Sequence, residues 1–70
     1  MRKMDVKYFG RRMARARKRN HLTQTQLAKR IYVSLGTISR YERGLSMPDM
    51  PMLIKLSKEL DVSVDYLLGV

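Results

Sequence analysis

Apolar residues recur along this chain at helical spacing, in five short runs separated by turn-forming residues. Between about Lys7 and Asn20, Phe9, Met13 and Ala16 fall at i, i+4 and i+7 on one stripe. Arg11, Arg12, Arg15, Lys18 and Arg19 occupy the rest of that circumference. Gly10 inside the helix costs about 1 kcal/mol relative to alanine, which points to a close contact with a neighbouring helix. After Asn20-His21, Thr23 is a good N-cap, and Gln26 three residues on completes a capping box. Leu22 and Leu27 fit a hydrophobic staple around it, and the second helix runs to about Tyr32, burying Leu27, Ala28 and Ile31. Ser34 caps a third helix from Leu35 to Arg43, closed by Gly44 where a left-handed backbone is wanted. On that helix Ile38 and Tyr41 face inward, while Gly36, Ser39, Arg40 and Arg43 share the opposite side. Asp49 caps a fourth helix that tolerates Pro51 in its first turn and buries Leu53, Leu56 and Leu60, with Ile54 beside them. Ser63 caps a short fifth helix carrying Val64, Leu67 and Leu68. The pattern predicts an all-α domain of five helices over residues 7–70, compact and without strands, after a flexible basic arm at residues 1–6.

Length and composition narrow the functional classes. Seventy residues allow one domain, near the lower limit at which a core stabilises a chain alone. The absence of cysteine removes disulfides and thiolate metal sites. No apolar run approaches the roughly 20 residues of a membrane-spanning helix. The basic N-terminus is not followed by an apolar region of about 7–15 residues, so no secretory signal is expected.

Charge changes the picture more. The net charge is +9, with +8 over residues 1–20, +3 over residues 21–44 and −2 over residues 45–70. A one-sided basic surface favours a polyanion partner. The segment from Thr23 to Gly44 supplies a way of reading one. Two short helices, each opened by a hydroxyl residue, are separated by about three residues, and the second presents a small-polar and arginine face. That layout is a helix-turn-helix candidate.

Several local patterns then share one order and spacing. These are Phe9-Gly10 with Met13, Arg17 shortly before Leu22-Thr23-Gln24, and Gln26-Leu27-Ala28. Thr37-Ile38-Ser39-Arg40-Tyr41-Glu42-Arg43-Gly44, Pro48, and the run from Leu60 to Leu68 follow. From about Tyr8 to Gly69 the chain resembles the DNA-binding domain of the phage-repressor/Cro-type helix-turn-helix family, also called the XRE family. The resemblance implies a repressor-like five-helix fold with the helix-turn-helix at helices 2 and 3. It implies a sequence-specific, double-stranded DNA-binding transcriptional regulator, of the repressor type, in the bacterial cytoplasm or nucleoid. One departure stands out: Tyr32 occupies a position where the family usually has glycine, and a left-handed backbone there would strain a tyrosine.

The resemblance also assigns roles. The third helix would enter the major groove with Leu35, Gly36, Ser39 and Arg40 at base edges. A guanidinium bonds both O6 and N7 of guanine, so Arg40 is the leading base reader, and Leu35 suits a thymine methyl. Gln24, at the start of the second helix, would hold a phosphate, where unpaired backbone donors and a partial positive charge favour one. Thr37 and Arg43 are further phosphate candidates. Arg17 lies on the apolar stripe four residues after Met13, and the family pairs it with Glu42 to tie the first helix to the third. An inverted-repeat operator bound by a homodimer follows from the small reach of one recognition helix. The dimer contact would use the end of the fourth helix and the fifth, including Tyr66, Leu68 and Val70. The basic face of the first helix, with Arg2 and Lys3 of the arm, adds phosphate contacts, so affinity should fall with salt.

Other classes fit less well. A protein-interaction module on the same fold, such as an antitoxin or an adaptor, is the alternative reading. General nucleic-acid coating lacks a visible stacking platform. Membrane-surface binding is opposed by the core's claim on the first helix's apolar stripe. The residues show no phosphate-cradling loop and no nucleophile–base pair, so neither an enzyme nor a cofactor is expected. His21 has no second metal ligand at suitable spacing, and the six methionines read as core filling.

Overall fold

The computed structural model describes residues 5–70. They form five helices: α1 (Val6–Arg19), α2 (Gln24–Arg30), α3 (Leu35–Glu42), α4 (Met50–Leu60) and α5 (Val64–Leu68). The sequence pattern places a flexible arm at residues 1–6, but Asp5 caps α1 by accepting from the Lys7 N–H at 2.9 Å, and Val6 is helical. Arg2 and Lys3 lie outside the described residues.

Each predicted cap is made by a short local bond. Thr23 and Gln26 form the reciprocal capping box. Ser34, Asp49 and Ser63 accept from the backbone N–H groups of Thr37, Met52 and Tyr66. Because these bonds span three residues, each helix start is specified by local sequence.

The apolar stripes converge on one core. Phe9, Met13, Leu27, Ile38, Leu56 and Leu67 are fully enclosed, with Ile31 and Leu60 almost so. Leu22 and Leu27 are both buried on either side of the Thr23 cap, as a staple requires. Ile54, placed beside the buried stripe of α4 by the sequence, stands about 100° round from Leu53 and is 42% exposed.

Two long-range clamps join the ends of the chain. Asn20 donates its side-chain amide to the carbonyls of Ala16 and Leu60, both at 2.8 Å, and so closes α1 against the end of α4. Arg12 donates to the Tyr66 carbonyl at 3.1 Å, and its guanidinium lies 5.2 Å from the Tyr66 ring centre. Tyr66 is thereby turned towards α1.

α2 stops at Arg30, with Ile31 as its C-cap, slightly before the boundary read from the pattern. Tyr32 then takes φ 60°, the left-handed region, and the turn runs on to Ser34. The tyrosine side chain is 88% exposed, so packing does not offset the strain. Tyr32→Gly is expected to stabilise the fold by about 0.5–1 kcal/mol, the relief of strain exceeding the added unfolded-state entropy. Thermal melts of the two chains check this; a lower melting temperature for the glycine variant would show that the turn needs tyrosine.

Candidate nucleic-acid interface

α3 has two chemically distinct sides. Inward, Ile38 is fully buried, and the Tyr41 ring meets Phe9 edge-on at 6.3 Å. Burial, helped by the nearby Asp49 carboxylate, raises the Tyr41 phenol above its ordinary pKa, so it stays neutral at physiological pH. Outward, Leu35, Gly36 and Arg40 are exposed and Ser39 is half-buried. These four predicted base readers therefore share the free side of one helix.

They differ in readiness. Ser39 accepts a hydrogen bond from Arg43 Nε at 3.2 Å, which holds Arg43 along the same side. Thr37 is drawn back to the cap, its hydroxyl 2.9 Å from that of Ser34. Gly36 has open space around the place of a β-carbon, the nearest atom being Ser34 Oγ at 3.8 Å, and its φ is not positive. Nothing in the fold demands glycine there, so its lack of a side chain leaves a notch in the outward surface. Leu35 at 48% exposure places a large apolar side chain beside that notch.

α2 brings Gln24 to the same region, although the side chain is engaged. Gln24 Nε2 donates to Glu42 Oε1 at 3.0 Å. Glu42 in turn receives Arg17 Nε at 2.6 Å and Arg17 Nη2 at 3.0 Å, and Arg17 Nη1 reaches the Leu22 carbonyl at 2.8 Å. The predicted Arg17–Glu42 pair is present and bidentate, with side-chain exposures of 11% and 7%. Its extension to Gln24, which the sequence does not disclose, ties α1, α2 and α3 through one carboxylate. With the capping box occupying the N–H groups of Thr23 and Gln26, those of Gln24 and Thr25 are left to face outward.

The outward side of α3 is closely held from behind. A β-carbon on Gly10 would lie 2.5 Å from the Glu42 carbonyl oxygen and 2.7 Å from that of Tyr41, so α1 touches the backbone of α3 there. Gly44, at φ 73°, ends α3 against Lys7, whose Cα would be 3.1 Å from a β-carbon. Both glycines serve the approach of α1 to α3.

Among the described residues, no helix is long and apolar enough to cross a membrane, and no group of three metal-ligand residues occurs. The helix-turn-helix family model matches residues 13–67. The transcriptional regulator ImmR of Bacillus subtilis is 40% identical over 61 residues, covering 87% of this chain and 48% of its own length. The cryptic phage CTXphi repressor RstR of Vibrio cholerae is 40% identical over 58 residues, covering 83% and 52%. The chain thus spans about half the length of these relatives. In three dimensions it superposes on the P22 c2 repressor bound to a synthetic operator, with TM-score 0.81 and 40% identity, over 86% of this chain and 91% of that one. The restriction-modification controller protein C.AhdI of Aeromonas hydrophila gives TM-score 0.82 at 27% identity, over 90% and 96%.

Proposed function

The chain belongs to the helix-turn-helix family, and on that premise we propose that it is a sequence-specific transcriptional regulator of the repressor type. It reads double-stranded DNA by placing α3 in the major groove. The carrying observation is the outward side of α3, where Arg40 is exposed and pairs with no carboxylate among the described residues. Leu35, Gly36, Ser39 and Arg40 meet base edges, and Gln24, Thr37 and Arg43 hold phosphates. For Gln24 this means exchanging or sharing its bond to Glu42. A homodimer on an inverted repeat supplies the discrimination that an eight-residue helix lacks alone. The end of α4 and α5 contribute the dimer contact through Leu68 and the 72% exposed Val70, while Tyr66, expected there from the sequence, is engaged by Arg12 of α1. The protein acts in the cytoplasm or nucleoid, by binding and without catalysis.

The binding of the similar P22 c2 repressor to an operator supports this reading, as does the likeness to the regulator ImmR and the phage repressor RstR. Selection from random duplexes near physiological salt tests it. Enrichment of a short inverted repeat is expected, with a guanine in each half-site facing Arg40. On that selected site Arg40→Ala should weaken binding by about 1–3 kcal/mol for each arginine–guanine pair removed, and leave the melting temperature nearly unchanged. Retention of DNA with no enriched sequence would overturn sequence reading in favour of charge alone.

A further inference from the structure

The basic face of α1, expected from the sequence to add phosphate contacts, includes a group that lies beside α5 rather than α3. Each helical residue advances about 100°, so Arg12 lies roughly 200° round α1 from Gly10. Gly10 faces α3 and Arg12 faces α5, which puts them on opposite flanks. On the Arg12 flank a cleft of about 200 Å³ is lined by Tyr8, Arg11, Arg12, Arg15 and Tyr66. A more open concavity of about 400 Å³ continues it along the helix, sharing Arg11 and Arg15 and reaching Lys18.

Three features make this more than a solvated charged face. Arg12 is held in place by the Tyr66 carbonyl and ring, so its guanidinium is fixed at the cleft wall. Arg11, Arg12 and Arg15 have no carboxylate partner among the described residues. Arg11 and Arg15 also stand at i, i+4, with Lys18 at i+7, so like charges repel along one stripe until a counter-charge is supplied.

We propose that this tyrosine-walled basic cleft docks an acidic segment of a partner protein. The three charges span about 10 Å along the axis, more than one small anion covers. Guanidinium forks match carboxylates in two-point bonds, and tyrosine rings accept the apolar parts of neighbouring side chains. The cleft wall at Arg12 and Tyr66 stands away from the contact of α1 with α3, so docking there leaves the outer side of α3 free. This site does not depend on how α3 reads its bases.

The test uses the full chain and a short fluorescent peptide of alternating glutamate and serine, followed by anisotropy near physiological salt. The parent chain is expected to bind it, and Arg11→Ser/Arg15→Ser to weaken binding about tenfold. Lys55→Ser/Lys58→Ser removes the same charge from α4 and should change it less than about twofold. Melting curves confirm that both variants fold. No peptide binding, equal losses in the two variants, or displacement of the peptide by an equimolar duplex would each overturn the proposal.

Discussion

Replacing Arg17 by alanine is expected to lower the unfolding free energy by roughly 3–5 kcal/mol. A domain of this length has a total stability of only about 4–10 kcal/mol, so much of the population would unfold on mild warming. The size comes from what is left behind. Glu42, with its side chain 7% exposed, would lose both guanidinium bonds and keep only the neutral amide of Gln24. The Leu22 carbonyl would lose its donor as well. Arg17→Lys keeps the charge but not the fork, and should fall between the two. Urea titrations of the three chains decide it. A midpoint for the alanine variant within error of the parent would mean that water replaces the arginine without penalty. Arg40→Ala is the internal control, since Arg40 lies exposed on the outer side of α3.

Gly10→Val should destabilise by about 3 kcal/mol, despite removing a helical glycine. The helix preference gained is about 1 kcal/mol or less. Against it, the first added carbon meets backbone oxygens at 2.5 and 2.7 Å, and backbone cannot swing aside as a side chain does. α1 and the last turn of α3 must separate, which also strains the Arg17–Glu42 bonds beside them. Gly10→Ala, the milder change, should leave a folded chain whose loss of DNA affinity exceeds its loss of stability, because the displaced element is the reading helix. Denaturation midpoints and binding to the selected duplex, measured on the same samples, separate the two effects. Unchanged affinity in a folded Gly10→Ala chain would show that α3 adjusts freely.

The sequence reveals what local chemistry determines. Thr23, Ser34, Asp49 and Ser63 cap their helices through bonds to residues three places on, and such bonds are visible as spacing. The buried stripe of α4 and the close approach at Gly10 are legible for the same reason, as period and as an anomaly in it. The Arg17–Glu42 pair is reached through resemblance, with the position of Arg17 on an apolar stripe as its physical hint. What escapes is set by the meeting of distant elements. Asn20 reaches Leu60, Arg12 reaches Tyr66 and Gln24 reaches Glu42, each across many residues. Polar side chains of this kind look alike on a helical wheel whether they face solvent or a neighbour. Ile54 shows the converse, an apolar residue about 100° round from the buried Leu53 that is left 42% exposed.

The two sides of α3 answer to different demands. Its inner residues, Ile38, Tyr41 and Glu42, are engaged with Phe9, Arg17 and the rest of the core. Its outer residues Gly36 and Arg40 are exposed, and Leu35 is half-exposed, so they hold the chain together far less. On the proposed reading, substitution on the outer side changes the target sequence with little effect on folding, so a new target can be acquired one residue at a time. Divergence of address without divergence of architecture is built into the helix.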